Sequence, residues 1–141
     1  LAGVINTGGT PSTIAPYSSN FLIQCAAGTT TYGIRVGTGN TPVAIDDYAL
    51  ETPIEEGVGA DKMEHLVCTV ADYVVAAPSC SFVASRTIAN NSGDSITVKE
   101  AGIYMYMNPT YGCGVRDVLG TPQVVPNGGS ITIDWTIQVT V

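Results

Sequence analysis

The chain has 141 residues, of which 12% are charged and 45% are hydrophobic, and its net charge at neutral pH is −7. One domain of this length buries enough apolar surface to fold without a metal or a disulfide bond. The hydrophobic content excludes an intrinsically disordered chain. A run of about 18 apolar residues, which a membrane span needs, does not occur in the sequence. Five basic residues against twelve acidic ones argue against a nucleic-acid partner, because a chain with net negative charge repels phosphate.

Residues 1–20 are rich in Thr, Ser, Gly and Pro and carry scattered Val and Ile. This composition disfavours a helix and predicts an extended N-terminal arm. The apolar residues within it predict that the arm lies against its own domain or against a neighbouring subunit. Residues 21–141 are predicted to form a single domain.

Short apolar runs separated by turn residues follow the arm, as is typical of strands. The predicted strands are 21–25, 32–36, 63–75, 80–89, 96–107 and 113–119. Residues 63–75 form either one strand or two short strands with a break near Asp72, and 96–107 form either a strand pair or one long strand bent at Gly102. A Gly-Thr-Pro break at 120–122 is predicted to end the last of these. The acidic stretch 46–60 lacks the spacing of a calcium-binding loop and is predicted to be a solvated loop.

The C-terminal segment carries the strongest pattern. Apolar residues occupy every odd position from Ile131 to Val141, and Thr, Asp or Gln occupies every even position. Such a period of two predicts a strand with one buried face. Since no segment has a 3.6-residue period, we predict an all-β fold. Its expected form is a single antiparallel β-sandwich of about seven to nine strands with Greek-key, jelly-roll-like connections.

The strands at 80–89 and 96–107 are predicted to pair as a hairpin around the turn at 90–95. If Ile88 faces Val98, Arg86 lies opposite Glu100 within otherwise apolar rows. Two buried charges of opposite sign are stable when they pair, so we predict a structural salt bridge between Arg86 and Glu100. The alternative is a catalytic acid with an electrostatic partner, but no nucleophile accompanies the pair in the sequence.

Four cysteines, Cys25, Cys68, Cys80 and Cys113, are candidates for disulfide bonds within or between chains. Three intrachain pairings are open, and free thiols are the alternative. With no C-x-x-C motif and one histidine, His65, we expect no zinc site. The sequence also contains no motif for another metal or a cofactor. His65 itself is predicted to be a surface residue or a residue with satisfied hydrogen bonds rather than a catalytic base.

Three tyrosines, Tyr104, Tyr106 and Tyr111, lie close together around one predicted turn. We predict that these rings pack in the core or at an interface. The alternative is a glycan-binding platform, because exposed rings in one plane stack on sugars.

Three parts of the sequence resemble, in pattern and order, structural proteins of tailed bacteriophages. They are YGIRVGTG at 32–39 with DDYALETPI at 46–54, RTIANNSGDSITVKEAGIY at 86–104, and RDVL at 116–119 with VPNGGSITIDWTI at 125–137. The resemblance therefore extends over residues 32–141. Arg86, Glu100 and Arg116 fall in these segments, and the resemblance implies that they specify the fold. The four cysteines are not part of the family pattern.

Members of that family are virion components of the head-decoration, tail or fibre type, and the family implies no enzyme chemistry. The resemblance thus implies a non-enzymatic subunit of an extracellular phage particle that binds copies of itself and other virion proteins. Low surface charge and an apolar arm favour the same role, because subunits assemble by burying apolar patches and adding strands to sheet edges. Two alternatives stay open: a carbohydrate-binding or adhesin module, and a pilin-like subunit of a surface filament.

Overall fold

The computed structural model describes residues 3–16 and 18–141. Strand accounts for 56% of the structure and these ranges contain no helix, which confirms the predicted all-β class. It follows that the described residues include no helix long and apolar enough to cross a membrane.

Ten strands are present in the described ranges. In chain order they are β1 (Gly3–Ile5), β2 (Pro11–Thr13), β3 (Gly33–Gly37), β4 (Glu55–Glu56), β5 (Lys62–Val70), β6 (Val74–Ala76), β7 (Ser79–Ala89), β8 (Ile96–Met107), β9 (Thr110–Val125) and β10 (Ser130–Thr140). The predicted break near Asp72 is confirmed, because β5 and β6 flank it.

The strands form three sheets. The largest has the order β10-β7-β5-β4, and β6 lies beside β7 where β5 has ended. The second has the order β3-β8-β9, and β1 and β2 form a hairpin of their own. Every pair is antiparallel except β4 with β5.

The core lies where side chains of the two larger sheets meet. Val36 on β3 and Val98 on β8 pack with Met63 on β5 and Ile88 on β7. Trp135 on β10 is half-buried and contacts both this cluster and a second one around Ile34, Cys68, Ala84 and Ile103. Two packed sheets agree with the predicted sandwich, whose Greek-key order stays a prediction.

The alternation predicted for the C-terminal segment is confirmed in β10 as far as Ile137, whereas Val139 and Val141 on the same face are exposed. Its odd-numbered side chains Ile131, Ile133, Trp135 and Ile137 pack against the core. The even-numbered ones face outward and bond across to β7, where Thr132 Oγ1 lies 2.8 Å from Thr87 Oγ1 and Ser85 Oγ donates to Asp134 Oδ1 at 2.5 Å.

The predicted hairpin between β7 and β8 is wrong. β7 pairs with β5, β6 and β10, whereas β8 pairs with β3 and β9. The segment 90–95 carries the chain from one sheet to the other, and Asn90 fixes this crossing by donating from Nδ2 to Asp94 O and Val125 O. Ile88 and Val98 do share the core, but they meet between sheets and not within one.

Two predicted strand limits are also wrong. Residues 21–25 form no strand and contribute only the single bridges Leu22 to Tyr106 and Cys25 to Cys68. β9 continues through the predicted break at 120–122. It pairs only with β8, and an edge strand tolerates a proline such as Pro122 because one side of its backbone makes no ladder bonds.

The predicted N-terminal arm is not extended where the structure describes it; residues 1, 2 and 17 lie outside the described residues. It folds back as the β1–β2 hairpin, because Asn6 Oδ1 accepts bonds from the Gly8 and Thr10 amides and Gly9 adopts a φ of 75° in the turn. The hairpin lies on its own domain, where Thr7 N donates to Tyr111 O at 3.1 Å.

Candidate functional site

Glu100 on β8 and Arg116 on β9 form a buried ion pair in the smaller sheet. Arg116 Nε donates to Glu100 Oε2 at 2.9 Å, and the side chains are 3% and 0% exposed, respectively. The Glu100 carboxylate also accepts backbone amides from Gly39, Glu51 and Thr52 at 3.2, 3.0 and 2.8 Å. Both carboxylate oxygens therefore have partners, as a buried charge requires.

The pair holds the loop 38–52 against the sheet. Arg116 Nη1 donates to Asp47 Oδ2 at 2.7 Å, and Nη2 donates to Thr41 O at 3.0 Å. The amide of Ala44 and the Arg116 guanidinium hold the pKa of Asp47 below its usual value. Hydrogen bonds from the hydroxyl and amide of Thr41 lower the pKa of Glu51 in the same way. The loop is thus closed by charge-assisted bonds that converge on one guanidinium.

Much of the acidic stretch 46–60 is exposed, as predicted, but three of its carboxylates also pair with buried bases. Asp47 binds Arg116, Glu55 approaches Arg35 Nη2 at 3.3 Å, and Glu56 binds the ring of a buried histidine. The sequence did contain a signal for this. Basic residues within apolar strands need counter-charges, and this stretch holds the nearest group of carboxylates.

His65 is a buried structural residue on β5. Its Nδ1 lies 3.0 Å from Glu56 Oε2 and 3.1 Å from Met63 O. Burial, together with the charge of Arg86, lowers the pKa of this imidazole. A buried, neutral ring with one nitrogen held in place agrees with the predicted hydrogen-bonded residue and not with a surface residue.

The predicted salt bridge between Arg86 and Glu100 is wrong, because the two residues belong to different sheets. Arg86 donates instead to three backbone carbonyls, from Nε to Leu66 O at 2.7 Å, from Nη1 to Ile34 O at 2.9 Å and from Nη2 to Thr29 O at 2.8 Å. It joins β7 to β5 of the same sheet, to β3 of the other sheet and to the loop that precedes β3. The true partner of Glu100 is Arg116, its diagonal neighbour in the β8–β9 hairpin, where Glu100 is opposite Val118 and Gly102 is opposite Arg116.

The four cysteines are thiols in this structure, and they occupy different environments. Cys25 and Cys68 are buried opposite each other. Cys80 is exposed on β7, and Cys113 is half-buried on β9, where burial raises its pKa to about 11.

The three candidate tyrosines do not form one platform. Tyr104 is buried, its hydroxyl accepts the Leu50 amide at 2.9 Å, and the Arg35 guanidinium lies 5.4 Å from its ring centre. Tyr104 therefore packs in the core, as predicted, and the alternative of a glycan-stacking role is wrong for this residue. Tyr106 and Tyr111 pack instead with a third ring, Tyr32, which lies parallel to Tyr111 at 6.1 Å. These rings pack against one another and are half-buried.

One end of the larger sheet is uncovered on the side that elsewhere faces the core. Val75 on β6, Cys80 on β7 and Val139 on β10 lie side by side in register. They are on the same face as the buried Ala84, yet Val75 and Val139 are 69% and 66% exposed. We call Val75, Cys80 and Val139 the apolar ledge. The segments 73–85 and 135–141, which contain the ledge, have no charged residue.

Beside the ledge, β10 forms a free sheet edge over its whole length, since among the described residues it pairs only with β7. Two hydrogen bonds, one beyond each end of β10, show which backbone groups bond to β7 and which face the free edge. Val141 N donates to Pro78 O, and Asn90 N donates to Gly129 O. In an antiparallel ladder, bonded pairs alternate, so the odd-numbered residues of β10 bond to β7. The amides and carbonyls of the even-numbered residues point to the free edge: Thr132, Asp134, Thr136 and Gln138.

Among the described residues, no group of three or more His, Cys, Asp or Glu side chains is placed to hold a metal ion. The chain matches no family model, and no curated protein or solved structure is significantly similar to it.

Proposed function

We propose that this chain is a non-enzymatic structural subunit of a bacteriophage virion, of the head-decoration, tail or fibre type, and that it assembles with copies of itself. The apolar ledge is the observation that supports this proposal most. A monomer in water gains nothing from exposing a row of apolar side chains next to its own core, whereas a subunit buries such a row against a neighbour. The sequence resemblance to phage structural proteins points to the same class.

The partner that best fits this surface is a second copy of the chain. A twofold axis perpendicular to the sheet at Trp135 would pair two β10 edges in antiparallel fashion. In that register Asp134 faces Thr136 of the other copy, so no two carboxylates are opposed. Ile133 faces Ile137, and the apolar rows of the two inner faces become continuous.

This pairing also reaches the ledge at Val139, which is the ledge residue on β10. Opposite Val139 the register places Ile131 of the second copy, whereas Cys80 and Val75 lie on strands farther from the edge. The outward backbone groups of β10 gain partners at the same time. Strand addition of this kind supplies main-chain hydrogen bonds, and Val139 adds apolar burial.

The experiment that tests the proposal compares Val139→Asp with Val124→Asp. Val124 lies on β9 and is 64% exposed, close to the 66% of Val139, but it is not part of the ledge. We expect the native mass from light scattering to exceed 14.6 kDa for the unmodified chain and for Val124→Asp. The Val139→Asp variant should elute as a monomer at the same concentration, because a charge on the ledge would have to be desolvated on association.

A monomeric mass for all three proteins over a concentration series would contradict the proposal. Equal masses above the monomer for all three would mean that the chain assembles through another surface. Negative-stain microscopy of the same samples distinguishes a closed dimer from a regular polymer.

A further inference from the structure

Cys25 and Cys68 are held in position to bond to each other. Cys25 N donates to Cys68 O at 3.1 Å, and Cys68 N donates to Cys25 O at 3.0 Å. Reciprocal bonds of this kind define a hydrogen-bonded antiparallel pair, whose Cα atoms lie about 5.5 Å apart. Disulfide bonds join Cα atoms separated by about 4.4–6.8 Å, so the Cα spacing of this pair is within the range that a disulfide bond spans.

A bulge in β5 turns Cys68 toward Cys25. His65 is opposite Ile88 and Cys68 is opposite Arg86, so three steps along β5 match two along β7. Strict alternation after the buried His65 would put Val67 inward and Cys68 outward. The bulge leaves Leu66 and Val67 both exposed, at 43% and 52%, and places Cys68 in the core.

The residues around the two sulfurs also leave space for them. Gly33 has a φ of 98°, and a Cβ there would lie 2.6 Å from Cys25 Sγ and 3.2 Å from Arg86 Nη1. The Cys25 thiol donates to Tyr32 O at 3.4 Å. The neighbouring Cys25 side chain lowers the pKa of Cys68 to about 6, and the Arg86 charge acts in the same direction. The neighbouring Cys68 sulfur and burial raise the pKa of Cys25.

We infer that Cys25 and Cys68 form an intrachain disulfide bond when the chain folds in the presence of a low-molecular-weight disulfide such as oxidised glutathione, and that Cys80 and Cys113 stay outside it. The inference does not depend on the proposed function. Its effect is to tie the segment before β3 to the centre of the larger sheet, closing a loop that includes the whole of β3 and β4.

The reaction is a pair of thiol–disulfide exchanges. The Cys68 thiolate attacks one sulfur of oxidised glutathione, the glutathione S–S bond breaks, and one glutathione thiolate leaves. The Cys25 thiolate then attacks the Cys68 sulfur of the mixed disulfide and releases the second glutathione. The two cysteines lose two electrons in total, and the two glutathione thiolates take up the two protons that the cysteines gave to solvent.

Burial decides when this reaction occurs. Cys25 is 5% exposed and Cys68 is fully buried, so glutathione cannot reach them in the folded chain. The bond therefore forms while the chain is unfolded or partly folded. Once folded, the same burial shields it from external thiols.

The test uses a Cys80→Ser, Cys113→Ser double variant, which retains only the pair in question. It is unfolded in urea, refolded with oxidised and reduced glutathione, alkylated in denaturant and digested with trypsin without reduction. Cleavage after Arg35, Lys62 and Arg86 places Cys25 and Cys68 in separate peptides, 1–35 and 63–86. We expect these peptides to be joined, with a mass two hydrogens below their sum, and the melting temperature to fall by about 10 °C on reduction.

Recovery of both peptides in alkylated, unlinked form would overturn the inference. The unmodified chain supplies the second measurement, which does not depend on the folding of any variant. In it, peptide 100–116, which contains Cys113, should carry the alkyl group after the same treatment. A link between 63–86 and 100–116, or between two chains through Cys80, as the main product would likewise overturn the assignment.

Discussion

At the scale of single residues, the protein contains few charges and gives most of its buried charges several partners. Glu100 has no exposed surface and accepts four hydrogen bonds, three of which come from backbone amides of the loop 38–52. Close backbone approach is possible because Gly37 and Gly39 face this carboxylate, where any Cβ would collide with it. The two glycines of the Gly37-Thr38-Gly39 sequence thus leave room for the Glu100 carboxylate.

Replacing Glu100 with Gln tests the importance of this carboxylate for stability. The amide removes the charge that balances Arg116 and places an NH₂ group against backbone N–H donors. We expect the free energy of unfolding in urea to fall by about 3–5 kcal/mol. The control is Lys99→Gln, at the neighbouring, half-buried position on the opposite face of β8, which should change stability by no more than about 0.5 kcal/mol. Equal effects of the two substitutions would mean that the ion pair is not important.

Most partners of the buried charges could not be predicted from the sequence. The sequence predicts that Arg86 and Glu100 are buried charges, but it assigns them to the wrong hairpin, because β7 and β8 are joined by a short turn and yet belong to different sheets. Glu100 pairs with Arg116 in the β8–β9 hairpin instead. The carbonyl partners of Arg86 on β3 and in the loop before it, and the loop partners of Arg116 up to 75 residues away, are created by the tertiary fold, so a pairing rule within one hairpin cannot find them.

At the scale of elements, strand positions could be read from the sequence better than strand partners. β10 matches its predicted alternation as far as Ile137 because one of its faces meets the core and the other meets solvent. The bulge in β5 was not predicted, because it appears in the sequence as an ordinary run of apolar residues, Leu66-Val67-Cys68. The start of β3 depends on another local feature, the positive φ of Gly33.

The second stability prediction compares Gly33→Ala with Gly93→Ala. The two glycines have nearly the same φ, 98° and 99°, so the backbone strain of an alanine is matched. At Gly93 the new methyl group meets no atom within 4 Å, whereas at Gly33 it would lie 2.6 Å from Cys25 Sγ. We expect Gly33→Ala to lower the free energy of unfolding by about 1–3 kcal/mol more than Gly93→Ala does. If the two variants unfold at the same urea concentration, the packing around Cys25 is looser than described.

At the scale of the whole molecule, the larger sheet extends beyond the part that the smaller sheet covers. The apolar ledge and the free edge of β10 are adjacent, and both lie within segments that carry no charge other than Asp134. Natural edge strands commonly carry a lysine, a proline or a bulge that prevents association. β10 has none of these over its register with β7, which fits an edge that is used rather than protected.

The most direct test of this account is amide hydrogen exchange along β10, measured by NMR in dilute and in concentrated samples. The odd-numbered amides bond to β7 and should be protected at both concentrations, which provides an internal control for folding. The even-numbered amides of Thr132, Asp134, Thr136 and Gln138 should exchange rapidly in the dilute sample and become protected on assembly. If these four amides exchange equally fast at both concentrations while the light-scattering mass rises, β10 is not the interface, and the proposal that the chain assembles through this edge is wrong.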